Sequence, residues 1–582
     1  MKDTDMQTSK NMSNLEIAKL FRAVAASILI KDKSPNSRFK VIAYENASDA
    51  VEHATSEVKD LWDDGNLGTL PGVGKSIAER LDELFRTGKV ESFEDLMKDL
   101  PAGMFEFLNI VGVGPKSAYK LAKELKINKA DGALAKLEKA AVDGRIRDLE
   151  GFGKESEQDI IEGIKNIKDK SSRMLLPHAQ GIADEIMEYM KQIPEAKRVE
   201  TLGSLRRQVS TIGDVDIAVA SDEQKKVIEH WLKYPKIQEV YDKGELTASV
   251  RLPGSIRADL KVQGLNNFGA LLQHFTGSKQ HNVALRTLAI KHKLSLSEYG
   301  VKKDGKWIKT PTEEEFYGLM KMEWVPPEIR ENDGEIELAL EKKIPRLVEL
   351  KNMKGDLHLH TNFLQETSHD SGIGSIEEFA LKGQKLGYEY IAITEHNPRP
   401  ALGEKKILDQ LKAKKEKVEQ LNYSREIARE KRTIKVFNSL EVDILKNGEL
   451  AIPDKASNYL DFVAVGVHTN FHGSRDEQTK RVLRALENPK VKIFTHPTTR
   501  KLGQREGIEL DWEKIMEVCL RTNTYLEINS WPERLDLPDT LVRIAVQKGV
   551  KLAISTDAHQ VPHMELMRYG VSVAKRGWSE AK

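Results

Sequence analysis

The chain has 582 residues, more than one hydrophobic core usually organises, so we expect three or more domains. Lys and Arg number 91 against 90 for Asp and Glu, which excludes a strongly basic protein and makes any nucleic-acid-binding surface a local one. One cysteine excludes an internal disulfide framework, and the lack of an apolar leader or of a membrane-length apolar run predicts a cytoplasmic protein with no membrane partner.

Three similar segments in the first 165 residues share the pattern apolar-x-Gly-apolar-Gly followed by a helical sequence: LPGVGKSIAERL (70–81), IVGVGPKSAYKLA (110–122) and LEGFGKESEQDII (149–161). A glycine turn ahead of a helix presents free N–H groups and a partial positive charge, which suit a phosphate. The three copies resemble helix–hairpin–helix motifs, which bind the DNA backbone without reading its sequence. The resemblance implies two helical domains, 1–95 and 96–165, that contact DNA at Gly72, Gly74, Gly112, Gly114, Gly151 and Gly153.

The stretch TIGDVDIAVA (211–220) is typical of a β-strand that carries Asp214 and Asp216 on one face. Two adjacent carboxylates repel, so a cation is expected beside them unless they lie at a solvated strand end. Asp259, in the later strand SIRADLKV, is a third carboxylate for the same face. Three such groups suit two Mg²⁺ or Mn²⁺ ions, which can activate a 3′-hydroxyl and stabilise a leaving pyrophosphate.

Gly203-Ser204, followed by GDVD and then by the Asp of RADL, resembles the nucleotidyltransferase signature of family X DNA polymerases, the DNA polymerase beta group. The resemblance covers about residues 12–333 and includes FGALLQHFTGSKQHNVALRTLA and WVPPEIREN. It implies a palm at 166–262 and a thumb-like, nucleotide-selecting domain at 263–333. The implied catalytic metal ligands are Asp214, Asp216 and Asp259, and the implied nucleotide site is Gly203, Ser204, Arg207, Phe275, Thr276, Gly277, Asn282 and Arg286.

The resemblance also implies a role for each nucleotide-site residue. Ser204 and Arg207 would hold the triphosphate, and residues 275–277 would pack by the sugar. Asn282 would touch the base edge, and Arg286 would contact the template side. His274 stands where relatives of polymerase beta carry tyrosine, which leaves sugar discrimination open.

Some family members remove a 5′-deoxyribose phosphate through a lysine Schiff base. The matching position in LPGVGKSIAERLDELF is Arg80, which stays protonated and cannot form the imine. Lys75 or Lys40 could substitute, but no sequence feature supports either. We therefore expect this lyase activity to be weak or absent.

After a polar segment at 334–353, expected to be a linker, short apolar strands alternate with helices. Repeated βα units predict a parallel sheet or barrel with its chemistry at the carboxyl ends of the strands. GDLHLHT places His358 and His360 on one face of the first strand, and acids and imidazoles end the later strands. Such nitrogen and oxygen ligands can hold two or three ions of Mn²⁺, Zn²⁺ or iron, and the mixture does not choose among them.

These strand-end motifs resemble those of the polymerase and histidinol phosphatase (PHP) domain, and they imply a (β/α)7-like barrel at 354–582. By matching motifs, the implied metal ligands are His358, His360, Asp370, His396, Glu441, His468, His496, Asp557 and His559. The link TNFLQETSHDSG is longer than usual, so His369 is an alternative to Asp370. The motif ITEH also replaces the more usual Ile-Thr-Asp-His.

Two other features of this half leave alternatives open. Arg500 and Arg534 are expected either to hold substrate phosphate or to pair with a structural carboxylate. The basic, helix-periodic segment 404–432 is either a DNA-facing helix or a solvated barrel helix.

Together, the motifs predict a multidomain protein with helical helix–hairpin–helix domains, an α+β palm and thumb, and a C-terminal PHP barrel. We expect a monomeric repair polymerase that fills short gaps with dNTPs on gapped or primed double-stranded DNA, using two Mg²⁺ or Mn²⁺ ions. The resemblance implies a PHP half holding two or three Mn²⁺ or Zn²⁺ ions, with 3′–5′ exonuclease, 3′-phosphatase and abasic-site endonuclease activities. The alternatives are a non-catalytic DNA-end-binding scaffold and a small-molecule phosphoesterase whose N-terminal half serves for targeting.

Overall fold

A computed structural model of the protein describes residues 12, 14–34, 37–52, 58–63, 67, 73–110, 113–168, 173–427, 434–471, 473–502, 505 and 507–581. The chain divides into two compact units, Met1–Ser171 and Ser172–Lys582. Among the described helices, none has both the length and the apolar character needed to cross a bilayer.

The first unit is helical. Its described helices are α1 (Asn14–Lys31), α2 (Ser37–Glu52), α3 (Val58–Asp63), α4 (Lys75–Thr87), α5 (Glu91–Met97), α6 (Gly103–Phe107), α7 (Pro115–Glu124), α8 (Ala133–Val142) and α9 (Lys154–Lys168). One core lies among α1 to α5 and includes Phe21 and Leu81. A second core lies among α6 to α9, with α1 at its border, and includes Phe107 and Leu121.

The second unit begins with an α+β domain built on a five-stranded sheet. Its elements are β1 (Met174–Leu175), α10 (Leu176–Met190), β2 (Arg198–Thr201), α11 (Gly203–Arg206), β3 (Thr211–Ile212), β4 (Val215–Ala220), α12 (Gln224–Trp231), β5 (Glu239–Lys243), β6 (Thr247–Leu252) and β7 (Ile256–Gln263). The strand order is β2-β4-β7-β6-β5, and only the central β4–β7 pair within it is parallel. The apolar residues of α10 and α12 cover one face of this sheet. On the other face, Ala218 and Ala220 of β4 pack against Phe268, in the domain that follows.

A smaller helical domain with a three-stranded antiparallel sheet follows. Its elements are α13 (Phe268–Thr276), α14 (Lys279–Lys291), β8 (Leu294–Ser297), β9 (Gly300–Lys303), β10 (Lys306–Ile308), α15 (Glu313–Gly318) and α16 (Glu335–Glu341). Thr312 and Glu315 form a capping box that starts α15.

The segment 334–353, expected to be a linker, is instead a folded part of the second unit. Its helix α16 buries Ile336 and Ala339 in the same core as Trp578, near the end of the chain. Val348 N donates to Ser579 O at 2.8 Å. The segment resembles a linker in sequence because it is polar overall. A helix can nevertheless bury one face when only about three of every seven residues are apolar.

The last 230 or so residues form a series of parallel βα units. The elements are β11 (Gly355–Leu359), α17 (Ile376–Lys385), β12 (Tyr390–Ile393), α18 (Glu404–Ile427), β13 (Lys435–Asn438), β14 (Glu441–Asp443), β15 (Val463–Gly466), α19 (Arg475–Leu486), β16 (Val491–Phe494), α20 (Trp512–Thr522), β17 (Tyr525–Asn529), α21 (Asp539–Lys548), β18 (Leu552–Ser555) and α22 (Met567–Arg576). β13 and β14 are two halves of one strand, because β13 pairs with β12 and β14 pairs with β15. A parallel bridge from Leu359 to Ala558 joins the first strand to the segment after the last, which is consistent with the expected (β/α)7-like barrel.

Candidate active sites

Three carboxylates meet on the palm sheet. Asp216 in β4 and Asp259 in β7 are direct partners across the parallel strand pair. Asp214 lies in a bend before β4, which corrects the expectation of one unbroken strand: the bend at Gly213 separates β3 from β4. The chain still turns Asp214 toward the other two, and one oxygen of each carboxylate lies within 4.8 Å of the others.

Cations surround this carboxylate group. Burial, and then the charges of Asp214 and Asp259, raises the pKa of Asp216 to about 7, while Lys261 and Arg257 oppose the rise. Arg257 Nε donates to Asp259 Oδ1 at 3.0 Å. Residues 257, 259 and 261 share one face of β7 because side chains alternate along a strand. The spacing in the sequence could therefore have placed Arg257 and Lys261 beside Asp259, although neither was among the predicted site residues.

Gly203 begins the turn that leads from β2 toward Ser204. Its φ of +57° lies in the left-handed region, and a Cβ atom there would lie 2.7 Å from Asp216 Oδ2. Leu202 N donates to Asp216 O at 2.8 Å, which ties the turn to β4. Glycine tolerates this φ and has no Cβ atom to collide with Asp216, so the turn can run directly beside the carboxylates.

Arg206, which follows Ser204 in α11, has a structural role. Its guanidinium binds Glu313 in a bidentate pair, at 2.9 and 2.7 Å, and donates to Thr276 Oγ1 at 2.6 Å. Burial by itself would raise the pKa of Glu313, but the charges of Arg330 and Arg206 hold it well below its ordinary value. This network fastens the palm turn to the thumb.

Arg207 lies against the end of α13. Its Nη1 donates to Thr276 O at 2.5 Å, and its Nε donates to Glu331 Oε1 at 3.1 Å. Arg207 Nη2 has no hydrogen-bond acceptor among the described residues, so the two N–H donors of this atom remain for a ligand.

The residues expected by the sugar lie at this same place. Thr276 is fully buried, and Gly277 has a φ of +69°. A Cβ atom at Gly277 would lie 3.1 Å from Arg207 Nη1. Lys261 Nζ stands 4.4 Å from the ring centre of Phe275, which connects this segment with the carboxylate site.

Asn282 and Arg286 lie on α14. The Asn282 amide is engaged by the protein: Nδ2 donates to His274 O and Oδ1 accepts from Gln273 Nε2, both at 2.7 Å. These bonds join the ends of α13 and α14, a role that the family resemblance did not imply for the residue expected at the base edge. Arg286 is exposed, as a residue that reaches a nucleic-acid strand has to be.

Glu441 is the centre of the second site, at the carboxyl ends of the barrel strands. It is fully buried, and five imidazoles face its carboxylate. Oε1 lies 2.7 Å from His496 Nε2 and 3.2 Å from His468 Nε2, and Oε2 lies 3.2 Å from His358 Nε2, 3.2 Å from His396 Nδ1 and 3.6 Å from His360 Nε2. Burial would raise the pKa of Glu441, but the charges of the imidazoles of His358, His468, His496 and His396 hold it well below its ordinary value.

Asp557 and His559, after β18, complete the other side of the cluster. Asp557 Oδ1 lies 3.2 Å from His360 Nε2 and 3.5 Å from His358 Nε2. Several sets of three ligand atoms lie within 4.8 Å of one another: His358, His360 and Asp557; His360, His396 and His559; His396, Glu441 and His468; and His369, Asp443 and His468.

The long link before Asp370 brings both of its candidate ligands to the cluster. Asp370 Oδ2 lies 3.3 Å from His559 Nε2. His369 Nε2 lies 3.0 Å from Asp443 Oδ1, which is also 2.7 Å from His468 Nδ1. Asp370 and His369 are therefore not alternatives in this structure, because each extends the cluster on a different side. Asp443 was absent from the implied ligand set.

The cluster contains buried polar atoms that lack a hydrogen-bond partner among the described residues. They are His358 Nε2, His360 Nδ1 and Nε2, His396 Nδ1, Glu441 Oε2, His468 Nδ1 and Nε2, His496 Nδ1 and His559 Nε2. Leaving so many donors and acceptors unsatisfied is unfavourable unless they bind something else. Imidazole nitrogens mixed with carboxylate oxygens are the ligands of Zn²⁺, Mn²⁺ and iron, so these residues fit several divalent ions.

A second layer of side chains orients the first. Glu527, in β17, accepts from His358 Nδ1 at 2.7 Å and from His496 N at 2.6 Å. Asn529 Nδ2 donates to Glu527 at 3.2 Å and to Asp557 at 3.1 Å. A carboxylate behind a ligating imidazole sets its orientation and makes it a better ligand. Both residues stand in NTYLEIN, a strand to which the sequence motifs assigned no ligand.

The glutamate of ITEH belongs to a buried ion pair. Glu395 binds Lys414 Nζ and Thr361 Oγ1, and Lys414 Nζ also donates to Ser439 O at 2.6 Å. Lys414 is fully buried on α18. Helix α18 is therefore a barrel helix with one buried face, as the second of the two interpretations expected, although residues 428–432 lie outside the described part of the chain.

The two arginines near the cluster differ. Arg500 Nε donates to Arg534 O at 2.9 Å, and its Nη2 contacts Leu535 O. Arg534 Nε lies 3.8 Å from Asp557 Oδ2, so the carboxylate nearest to this side chain is one of the candidate ligands.

The second glycine of each helix–hairpin–helix copy directly precedes a helix: Gly74 before α4, Gly114 before α7 and Gly153 before α9. A Cβ atom at any of the three would meet nothing within 4 Å, so the space beside the backbone is open. Gly151 has a φ of +83°, whereas Gly72 and Gly112 lie outside the described residues.

Arg80 lies on α4, and its Nη1 is 3.0 Å from Glu83 Oε2. The arginine that stands at the position of the family's lyase lysine is therefore held in a salt bridge with a neighbour one turn along the same helix.

Comparison with known proteins gives matches along the whole chain. Family models match in the order helix-hairpin-helix domain (12–90), SAM-like helix-hairpin-helix tandem (105–166), DNA polymerase beta thumb (271–331) and PHP domain (356–530). The DNA polymerase/3′-5′ exonuclease PolX of Bacillus subtilis (strain 168) is 33% identical over 575 residues, which cover 98% of this chain and 97% of the relative.

Two more distant relatives each match a part of the chain. DNA polymerase lambda of Rattus norvegicus is 23% identical over 350 residues, covering 55% of this chain and 56% of the relative. A probable phosphatase of Thermoanaerobacter sp. (strain X514) is 26% identical over 215 residues, covering 35% of this chain and 78% of the relative. The full-length match and the order of the domains show that the chain belongs to the PolX family, the family X DNA polymerases with a C-terminal PHP domain.

Proposed function

We propose that this protein is a DNA-directed DNA polymerase that fills short gaps and that its PHP domain is a 3′–5′ exonuclease acting on 3′ ends. The observation that carries the proposal is the presence in one chain of two separate clusters of side chains that could bind cations. One is made of three carboxylates and the other of imidazoles with carboxylates. The full-length relative bears the name of both activities.

In the polymerase site, Asp214, Asp216 and Asp259 hold two Mg²⁺ or Mn²⁺ ions, because oxygen-only ligands favour these ions. Such ions supply charge stabilisation at the reacting phosphate and the 3′ oxygen. Arg207 binds the triphosphate through its unengaged Nη2, and Ser204 assists it. The segment 275–277 packs against the sugar, and Arg286 contacts the template strand.

In the PHP site, the ligands around Glu441 hold two or three Mn²⁺ or Zn²⁺ ions, which supply Lewis acidity toward a phosphodiester. Glu527 holds the imidazole of His358 and the main-chain N–H of His496 in place. The exonuclease can leave the clean 3′-hydroxyl that the polymerase needs. The same site acts on 3′-phosphates and abasic sites.

In the first unit, the glycine turns at Gly74, Gly114 and Gly153 bind phosphates of gapped or primed double-stranded DNA. Their open surroundings support this role, since a DNA backbone can approach the main chain closely. The protein acts as a monomer, and because Arg80 cannot form an imine it has little lyase activity.

A separation-of-function pair tests the proposal. On gapped DNA with a free 3′-hydroxyl, Asp216→Ala abolishes extension while 3′-end removal persists. His360→Ala abolishes end removal while extension of a clean primer persists. Asp222→Ala and His178→Ala are matched controls, because both parent side chains are exposed and lie outside the two clusters; neither should change either rate.

Loss of both activities in one folded cluster variant would contradict the two-site assignment. The same preparations also decide between classes of substrate. If the wild-type protein hydrolyses a small phosphomonoester much faster than a DNA 3′ end and extends no primer, it is a small-molecule phosphoesterase instead.

A further inference from the structure

The last helix of the PHP domain touches the palm loop that carries Arg207. Arg576, at the end of α22, donates through Nη1 to Arg207 O at 3.0 Å. One turn earlier, Ser572 Oγ donates to Gln208 Oε1 at 3.0 Å. Two consecutive palm residues are thus held from the PHP domain, within the same compact unit.

Arg576 and Arg207 also share a carboxylate. Arg576 Nη1 and Arg207 Nε each lie 3.1 Å from Glu331 Oε1, at the end of the thumb. Arg576 Nε donates to Asp539 Oδ2 at 2.7 Å, which anchors it in its own domain. Burial alone would raise the pKa of Glu331, but the charges of Arg207 and Arg576 hold it below its ordinary value.

The arrangement is buried and specific. The Arg576 side chain is only 3% exposed and uses its fork of donors on acceptors from three domains. An arginine held by several charge-assisted hydrogen bonds has one orientation, and it orients its partners in turn.

We propose that Arg576 is a positioning residue for nucleotide binding: it fixes Glu331 and the main chain of Arg207 so that the free Nη2 of Arg207 points to the triphosphate of an incoming dNTP. This inference rests on the proposed polymerase function and on the role of Arg207 in it. It makes the PHP domain a structural part of the nucleotide site, in addition to being a nuclease.

The neighbouring residue provides a matched control. Lys575, also on α22, donates to Glu328 Oε1 at 2.6 Å in the same interface. Its contact does not reach Arg207 or Glu331, so Lys575→Gln perturbs the interface without touching the proposed network.

The experiment measures steady-state dNTP incorporation into a one-nucleotide gap with the full-length protein. For Arg576→Lys we expect the KM for dNTP to rise about fivefold or more with kcat nearly unchanged, since the contact affects binding of the triphosphate more than chemistry. Lys575→Gln should leave the KM within about twofold. The exonuclease rate of the same preparation should also stay unchanged, which reports that the PHP domain is folded.

A double-mutant cycle distinguishes positioning from a general structural effect. Arg207→Ala should raise the KM strongly, and adding Arg576→Lys to it should change the KM no further, because Arg576 acts through Arg207. Glu331→Gln, which keeps the side-chain shape, should raise the KM as Arg576→Lys does and serves if the lysine variant does not fold.

An unchanged KM in Arg576→Lys or Glu331→Gln overturns the inference while leaving the polymerase function intact. The inference is also overturned if the rise in KM caused by Arg576→Lys simply adds to the rise caused by Arg207→Ala. A wild-type protein that extends no primer refutes the proposed function instead, and the inference falls with it.

Discussion

Gly203 constrains the polymerase site through its backbone and through its lack of a side chain. Its φ of +57° disfavours any other residue, and a Cβ atom would lie 2.7 Å from Asp216 Oδ2. A methyl group there would therefore displace one of the three carboxylates as well as strain the turn.

We expect Gly203→Ala to lower the rate of DNA synthesis and to cost about 1–3 kcal/mol in stability, the usual range for a residue forced into a disfavoured conformation. Gly181→Ala is the matched control, since Gly181 lies in α10 of the same palm with nothing within 4 Å of its Cβ position. There the change should stabilise by about 0.5–1 kcal/mol. Primer extension and urea unfolding measure the two effects, and equal behaviour of both variants would refute the special role of the Gly203 turn.

The carboxylate of Asp216 has a pKa raised from 3.8 to about 7 by burial and by its acidic neighbours. Between these values the folded protein binds more protons than the unfolded chain, so in the absence of divalent ions its stability falls as pH rises through this window. Replacing the Asp216 carboxyl with a group that does not titrate should remove this loss of stability.

In a chelator, Asp216→Asn should therefore be more stable than the parent protein, by a difference that grows between about pH 4 and 7 and is constant above. Unfolding midpoints at pH 5 and pH 8 measure it. Added Mg²⁺ should stabilise the parent more than the variant, which has lost a ligand. A difference that is the same at both pH values would show that burial and the neighbouring acids do not raise the pKa of Asp216.

At the scale of elements, strands place the ligands and helices support them. The strands of the PHP domain are parallel, so their carboxyl ends lie at one rim. The short polar segments that follow the strands therefore meet there. Helix α18 packs against this rim through Lys414, which is fully buried and pairs with Glu395, the residue directly before the candidate ligand His396.

We expect Lys414→Met to destabilise the PHP barrel by about 3–5 kcal/mol, because Glu395 would remain buried without its counter-charge. Lys412→Met, on the exposed side of the same helix, should change stability by less than about 0.5 kcal/mol. Loss of exonuclease activity on heating gives the measurement. If Lys414→Met loses activity at the same temperature as Lys412→Met, the buried ion pair does not stabilise the rim.

At the scale of the whole molecule, the imidazole cluster gathers side chains that are up to about 200 residues apart in the chain, from His358 to His559. The protonation states of the side chains in this cluster depend on their being brought together. Burial would lower the pKa of His468, but Glu441 and Asp443 raise it to about 9, so metal ions must displace a proton from it at neutral pH.

We therefore expect Mn²⁺ binding to the chelator-treated protein to release protons at pH 7 and to tighten as pH rises toward 9. Calorimetry in two buffers of different ionisation enthalpy measures the number of protons released. His468→Ala should release fewer protons, whereas His178→Ala should match the parent. Binding without proton release at pH 7 would contradict a protonated His468 in the metal-free protein.

Several features of this protein follow from its sequence alone. The order of GS, GDVD and RADL, the repeated Gly-x-Gly turns and the strand-end histidines resemble family motifs, and that resemblance predicted a polymerase half with helical DNA-binding domains and a PHP half. These patterns are readable because the spacing of residues along one element determines which face they share.

Only the tertiary structure decided which of these side chains meet. It put Glu441 at the centre of five imidazoles, brought both His369 and Asp370 to the rim, added Glu527 behind the histidines and joined Arg576 to Arg207 through Glu331. It also folded the segment expected to be a linker. Such pairings depend on the close approach of residues far apart in the chain, which packing of whole elements determines and no local pattern encodes.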